Sequence, residues 1–233
     1  MILDHINYEA LLVPVNKVFN LRAGGRRRPV FHEIDATCPQ LRELDRNYPV
    51  IREELEALLA RRQSIPRYHE LDRMQTNISA KVDPDKDWKV FYLDAMGEKP
   101  QANRDLCPHT SALLDQVPGL FQAFFSILDG GKSIPAHEGP YLGYIRYHLG
   151  LIVPEESPPS IRIKDQHYTW QEGQSVLFDD SWEHEVTNAC PARRVVLIVD
   201  IRRPMPLPLD ALNRFVVSIM RLVYGKDILK KLA

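Results

Sequence analysis

The stretch Leu142-Gly143-Tyr144-Ile145-Arg146-Tyr147-His148-Leu149-Gly150-Leu151-Ile152-Val153 places polar and aliphatic residues alternately through its centre. On an extended strand, residues two apart share a face. Tyr144, Arg146 and His148 therefore lie together, while Ile145, Tyr147, Leu149 and Leu151 face the other way. Two more runs behave alike. Phe124, Ser126 and Leu128 share a face in Leu120–Leu128, as do Arg194, Val196, Ile198 and Asp200 in Arg193–Ile201. Ser160–Lys164, His167–Trp170 and Gln174–Phe178 are further short β runs, most of them bounded by Gly, Pro, Asn or Asp, with Glu172-Gly173 as a hairpin turn. Close turns and no intervening helices predict a sandwich or barrel of the jelly-roll type. An inward face that collects Ser126, Arg146, His148 and Arg194 predicts a pocket for an anion rather than a sealed core. A plain β-sandwich binding module leaves those inward polar residues unexplained.

Outside this region the pattern is helical or mixed. Leu41, Leu44, Tyr48, Ile51, Leu55, Leu58 and Leu59 recur at three- and four-residue intervals, predicting a helix from Pro39 to Arg62 that Pro49 kinks or restarts. Thr110–Val117 reads as a short helix with Ser111 as its cap. Residues 1–30 are mixed and end in Gly24-Gly25-Arg26-Arg27-Arg28-Pro29, read as a solvated loop whose arginines suit an anionic partner. Leu209, Leu212, Phe215, Val216, Ile219, Leu222 and Val223 form an apolar stripe flanked by Arg214 and Arg221 and followed by Lys226, Lys230 and Lys231. That helix either packs on the β-domain or lies at a membrane surface. The expected organisation is one structural domain: a helical and mixed part (1–118), a β core (119–204) and an amphipathic helix (205–233).

Composition sets the outer limits. The chain has 233 residues and a formal net charge of −1, so no global basic field favours nucleic acid. Cys38, Cys107 and Cys190 form no paired motif and read as free thiols of a reducing cytoplasm. Asp4, His5 and Glu9 interrupt the first apolar stretch, which therefore does not read as a signal peptide, and no run is long enough for a membrane span. The expected location is cytoplasmic, with peripheral contact at the inner face of a membrane if the last helix meets lipid.

The chemistry concentrates in two histidines and an arginine. His137 lies in Ile134-Pro135-Ala136-His137-Glu138-Gly139-Pro140, and His184 in Phe178-Asp179-Asp180-Ser181-Trp182-Glu183-His184-Glu185-Val186. Arg194 follows ten residues later and opens Val195-Val196-Leu197-Ile198-Val199. Imidazole suits Fe(II), and few protein ligands leave room for oxygen and a co-substrate. A planar guanidinium is the natural partner of a carboxylate in a dry pocket. The order suits a non-haem iron site that also grips a dicarboxylate. His5, His32, His69, His109 and His167 read as structural or exposed. Asp179 and Asp180 read either as turn residues or as groups orienting His184.

These segments, with Arg146–Pro154, Trp170–Gly173, Arg193–Pro204 and, more weakly, Asp87-Trp88-Lys89 and Cys107–Thr110, resemble the aspartyl/asparaginyl β-hydroxylase family of Fe(II)- and 2-oxoglutarate-dependent dioxygenases. The resemblance implies a double-stranded β-helix fold, with N-terminal helices and a C-terminal helix. It implies that His137 and His184 hold iron, and that Arg194 and Ser126 bind the distal carboxylate of 2-oxoglutarate. Arg146 and His148 would stabilise its chelating end, and Leu128 and Val186 would wall it. The implied reaction uses molecular oxygen to hydroxylate an unactivated C–H.

One departure is Gly139, which stands where the common facial triad has a carboxylate. Glu138 is adjacent but points the other way on a strand, so water, or a halide, would complete the shell. The branch that hydroxylates lipid A or ornithine-lipid acyl chains resembles this chain in length and in its last helix. Gly139 nevertheless tilts the expectation to an aspartyl/asparaginyl substrate, with the acyl chain as alternative. The rival from another class is a cupin-type zinc enzyme or metal-dependent binding protein using His137, His148 and His184.

Overall fold

The computed structural model describes residues 8–61, 64–72 and 75–232, with backbone alone for 8–11. Asp4, His5 and Arg62 lie outside the described residues. The chain begins with helices α1 (Tyr8–Ala23), α2 (Ile34–Thr37), α3 (Arg42–Arg46), α4 (Tyr48–Ala60), α5 (Tyr68–Leu71) and α6 (Thr76–Ser79). Strand β1 (Trp88–Asp94) and helices α7 (Gln101–Leu106) and α8 (Pro108–Leu114) follow. Next come β2 (Leu120–Leu128), β3 (Ile134–His137), β4 (Tyr144–Ile152) and β5 (Ser160–Ile163). The remaining strands are β6 (Gln166–Thr169), β7 (Ser175–Phe178), β8 (His184–Thr187) and β9 (Arg194–Arg202). Helix α9 (Leu209–Met220), a π-helical turn (Arg221–Gly225) and α10 (Lys226–Leu232) close the chain.

The strands form two antiparallel sheets, ordered β1-β2-β9-β4-β7 and β3-β8-β5-β6. From β2 to β9 the chain changes sheet at every connection except the β5–β6 hairpin. That alternation makes the fold a double-stranded β-helix. Gly173, at φ +71°, sits in the turn before β7, where the left-handed backbone favours a residue without Cβ.

Alternation along the strands sorts the core in two. One face of the larger sheet carries Phe125, Ile145, Tyr147, Leu149, Leu151, Val195, Leu197 and Val199. It is buried with Leu44 of α3, Ile51, Leu55 and Leu58 of α4, and Leu114 of α8. The other face turns Phe124, Leu128, Phe178, Val196 and Ile198 inward, to meet Ile161, Ile163, Trp170 and Val186. Each fully buried aliphatic or aromatic side chain contributes about 1.5–3 kcal/mol. The helices thus stabilise the barrel from outside and leave its interior free to hold polar groups.

Several sequence expectations are corrected. Residues 8–23 are helical rather than mixed, and β1, which lies in the part expected to be helical and mixed, is an edge strand paired with β2. The helical run from Pro39 does break, at Asn47, and of the two outcomes expected of Pro49 the restart holds: lacking an N–H, it fits the first turn of a new helix. Ser111 does not cap α8; its buried hydroxyl donates to the Arg104 carbonyl at 3.3 Å. The last helix passes into a π-helical turn at Arg221 instead of running on to Val223. All three cysteines are buried and free. No described helix is long and apolar enough to cross a membrane.

Asp94, at the end of β1, is buried and accepts the Gly97 N–H at 2.7 Å. Burial raises its carboxyl from 3.8 to about 6. The folded state then holds a proton the unfolded chain has released, so stability falls as pH rises from about 4 to 6. Asp94→Asn keeps an acceptor and removes the charge. We expect it to flatten that slope and to gain about 1–3 kcal/mol at neutral pH. Urea unfolding of both proteins across that pH range checks this.

Candidate active site

Strands β3 and β8 pair antiparallel with His137 opposite His184. Neither segment was among the β runs read from the sequence, since Pro135 interrupts the first and the second follows directly on the polar run Asp179–Glu183. The pairing brings the two imidazole rings to 4.1 Å between centroids. His137 Nδ1 lies 2.8 Å from the Pro135 carbonyl oxygen and His184 Nδ1 2.9 Å from that of Trp182. A carbonyl can only accept, so both Nδ1 atoms carry the proton and both Nε2 lone pairs are free. Burial lowers both pKa values, His184 the further, with Arg146 lowering His137 and the neighbouring His137 lowering His184. Two neutral imidazoles with oriented Nε2 atoms are a donor set suited to a divalent transition metal.

Deeper in the barrel, Arg194 is 1% exposed, and its Nε and Nη1 have no hydrogen-bond partner among the described residues. Its guanidinium lies 4.3 Å from the centre of the Trp170 ring. Burial pushes it down to about 9. His148 stacks with the same tryptophan at 5.8 Å and lies edge-on to Phe178 at 4.9 Å. Both its ring nitrogens are likewise buried without partners, as is the Trp170 Nε1. Burial, then Arg146 and Arg194, hold His148 neutral. Buried polar atoms without partners are rare. Those of Arg194, His148 and Trp170 gather around one ring, and such a set of donors suits a carboxylate.

Ser126 is on the same inward face, one pleat from Arg194, since Leu128 pairs with Arg194 and Ser126 with Val196. Its Oγ accepts the Trp88 indole N–H at 2.9 Å, which leaves its own hydroxyl hydrogen to donate. Leu128 and Val186 are buried in the interior apolar cluster. Arg146 differs from expectation. It faces inward, but its guanidinium is held by Asp200 at 2.7 and 2.8 Å and by Asp180 at 3.1 Å, so it presents no unpaired fork.

The loop before His184 is built from buried charge. Asp179 Oδ2 receives Arg28 Nε at 3.0 Å and Arg203 Nη2 at 2.8 Å, and Arg28 covers the Trp182 ring at 3.6 Å. Arg28 therefore does not belong to a solvated loop: residues 30–32 run beside β7, with His32 N–H bonded to the Leu177 carbonyl at 2.8 Å. Arg28 and Arg203 were missed in the sequence because neither has a local signal. Asp180 turns the opposite way, accepting the Tyr144 hydroxyl at 2.9 Å beside Arg146, and burial raises its carboxyl to about 7.

Asp180 also accounts for Gly139. A Cβ at residue 139 would stand 2.6–2.8 Å from the Asp180 carboxylate. Glu138 is exposed. Among the described residues no three His, Cys, Asp or Glu side chains cluster as metal ligands, so the three-histidine zinc site is not formed. His32 is half-buried and His109 and His167 are exposed, while His69 bonds Ser79 at 3.0 Å.

The family model described as Aspartyl/Asparaginyl beta-hydroxylase matches residues 45–204. An ornithine lipid ester-linked acyl 2-hydroxylase of Rhizobium tropici is 42% identical over 76% of this chain and 62% of its own length. The human aspartyl/asparaginyl beta-hydroxylase is 31% identical over 72% of this chain and 22% of its own. The match thus spans less than two thirds of either relative. A Pseudomonas putida prolyl-4-hydroxylase structure aligns at 15% identity over 68% of this chain and 88% of its own, with a TM-score of 0.42.

Because Asp180 is fixed by Tyr144 and Arg146, it cannot yield to a side chain at residue 139. Gly139→Ala should lower stability by about 1–3 kcal/mol in urea unfolding. Gly139→Asp, which writes the missing triad carboxylate into the sequence, should not tighten Co(II) in a metal titration.

Proposed function

Since the chain belongs to the aspartyl/asparaginyl β-hydroxylase family, we propose that it is an Fe(II)- and 2-oxoglutarate-dependent hydroxylase acting on a lipid acyl chain. The observation that carries the reading is the presence, inside one barrel, of two neutral imidazoles with free Nε2 atoms and a buried guanidinium without a carboxylate partner. His137 and His184 would hold the iron. Bound iron supplies the oxidation: one oxygen atom of O2 enters the C–H bond, and the other enters 2-oxoglutarate, which leaves as succinate and CO2.

The protein's own residues bind, orient and exclude water. Arg194, with the Ser126 hydroxyl beside it, takes the distal carboxylate, and only a dicarboxylate satisfies both this end and the metal end. His148, held neutral, offers an N–H to the co-substrate without adding charge. Arg146 acts through Asp180, fixing that carboxylate behind Gly139. Leu128 and Val186 keep the walls dry, which strengthens the Arg194 pairing.

Two considerations favour the acyl chain over an aspartyl residue. The ornithine lipid acyl hydroxylase shares more of the chain's residues than the human aspartyl/asparaginyl enzyme does. Gly139, which tilted the sequence reading towards the aspartyl type, has a reason in the Asp180 packing that is independent of substrate.

With Fe(II), oxygen and 2-oxoglutarate, the protein should form succinate, and an ester-linked acyl lipid should raise the rate more than an aspartyl peptide. The reverse order of stimulation overturns the substrate assignment. His184→Ala should abolish succinate formation while circular dichroism stays unchanged; full turnover would remove His184 from the metal. Arg194→Met should cost about 2–5 kcal/mol in 2-oxoglutarate affinity, tens-fold or more in half-saturation, with metal binding little altered.

A further inference from the structure

Every large apolar side chain left exposed among the described residues lies on two helices and the segments adjoining one of them. Val13, Val18 and Leu21 are on α1; Leu207 precedes α9, Phe215 and Ile219 lie on it, and Leu222 follows in the π-helical turn. Leu21 is 85% exposed, Leu207 78% and Phe215 63%. Phe215, Ile219 and Leu222 are spaced four and three residues apart, so they form one outward stripe. The opposite faces are buried: Leu12 and Phe19 of α1 and Val216 and Met220 of α9 meet in a single cluster with Phe121, Tyr141 and Tyr144. The sequence offered two fates for the last helix, packing on the barrel or facing lipid. Its two apolar faces allow both.

The two helices also grip the same loop. Asn16 of α1 donates to the Pro140 carbonyl at 2.8 Å and accepts the Leu142 N–H at 3.0 Å. Asn213 of α9 accepts the Tyr141 hydroxyl and donates to the Gly143 carbonyl, each at 2.7 Å. That loop begins just after His137 and runs into Tyr144, whose hydroxyl bonds Asp180. The exposed apolar faces therefore flank the rim of the site.

Charge selects the occupant. Residues 10–32 contain no Asp or Glu, and Lys17, Arg22, Arg26 and Arg27 in that stretch are exposed. Arg214 and Arg221, ion-paired to Asp210 and Glu98, stand beside the α9 stripe and remain more than half exposed. Aliphatic and aromatic side chains rimmed by cations match an anionic lipid surface.

We propose that α1 and α9 together dock the protein on an anionic bilayer and set the His137–Tyr144 loop at its surface. The proposal rests on the acyl-chain reading for its purpose, but its test does not depend on turnover. Full-length protein is sedimented with phosphatidylcholine vesicles, with and without about 30 mol% phosphatidylglycerol, at low and high salt. We expect binding to the anionic vesicles that salt weakens. Val18→Ser with Leu21→Ser, and separately Phe215→Ser with Ile219→Ser, should each lower partitioning by about tenfold or more. Lipid-free succinate formation should stay unchanged, since these side chains face solvent. Failure of the wild type to bind overturns the proposal, as does binding that neither double variant weakens. Concentration-dependent dimerisation abolished by the same variants, without vesicle binding, also overturns it in favour of a second copy. Vesicle binding in a protein that never forms succinate supports the docking surface and overturns the oxygenase reading instead.

Discussion

A buried guanidinium that meets no carboxylate among the described residues is the constraint around which this barrel is arranged. Arg194 opens the central strand β9 and is almost wholly removed from water. Such a charge costs several kcal/mol unless something answers it. The Trp170 face offers partial compensation through its quadrupole. In the proposed function the rest comes from the carboxylate of the co-substrate, which would also answer the unpartnered nitrogens of His148 and Trp170. The fold tolerates the cost because the outer face of the same sheet is sealed by helices, so the apolar gain lies on one side of the strand and the polar demand on the other.

Two neighbouring carboxylates divide the remaining charge. Asp179 and Asp180 are consecutive, yet they point to opposite partners, Asp179 to Arg28 and Arg203, Asp180 to Tyr144 and Arg146. The first fixes the loop whose Trp182 carbonyl sets the His184 ring. The second fills the space behind Gly139. Packing thus keeps residue 139 free of a side chain: a carboxylate that could have stood there is excluded by one already anchored nearby, so the proposed metal would have His137 and His184 alone from these two strands. Breaking either buried pair would strand a charge, so these pairs anchor a loop that has no helix or strand of its own.

The terminal helices join the site to its surroundings by the same economy of contacts. Each uses one asparagine to satisfy backbone groups of the loop after His137, and each leaves an apolar face outward. Whatever holds those faces also holds that loop.

Much of this was legible in the chain because strand periodicity is local. The inward row Ser126, Arg146, His148 and Arg194, and the outward row beginning at Ile145, follow from alternation alone, and the double-stranded β-helix follows once the family is recognised. The two histidine strands were absent from the β runs read in the sequence, since Pro135 interrupts one and polar residues of the preceding loop mask the start of the other. The pairing of Arg28 with Asp179, separated by 151 positions, was not legible either, because ion pairing across a fold leaves no trace in spacing. Sequence determined which side chains face the interior; only tertiary structure decided which of them are spoken for. Arg146 and Arg194 look alike on paper, both arginines facing inward on β-strands. Asp200 lies opposite Arg146 across the β4–β9 ladder and engages it, whereas Leu128 lies opposite Arg194 and cannot pair with its charge.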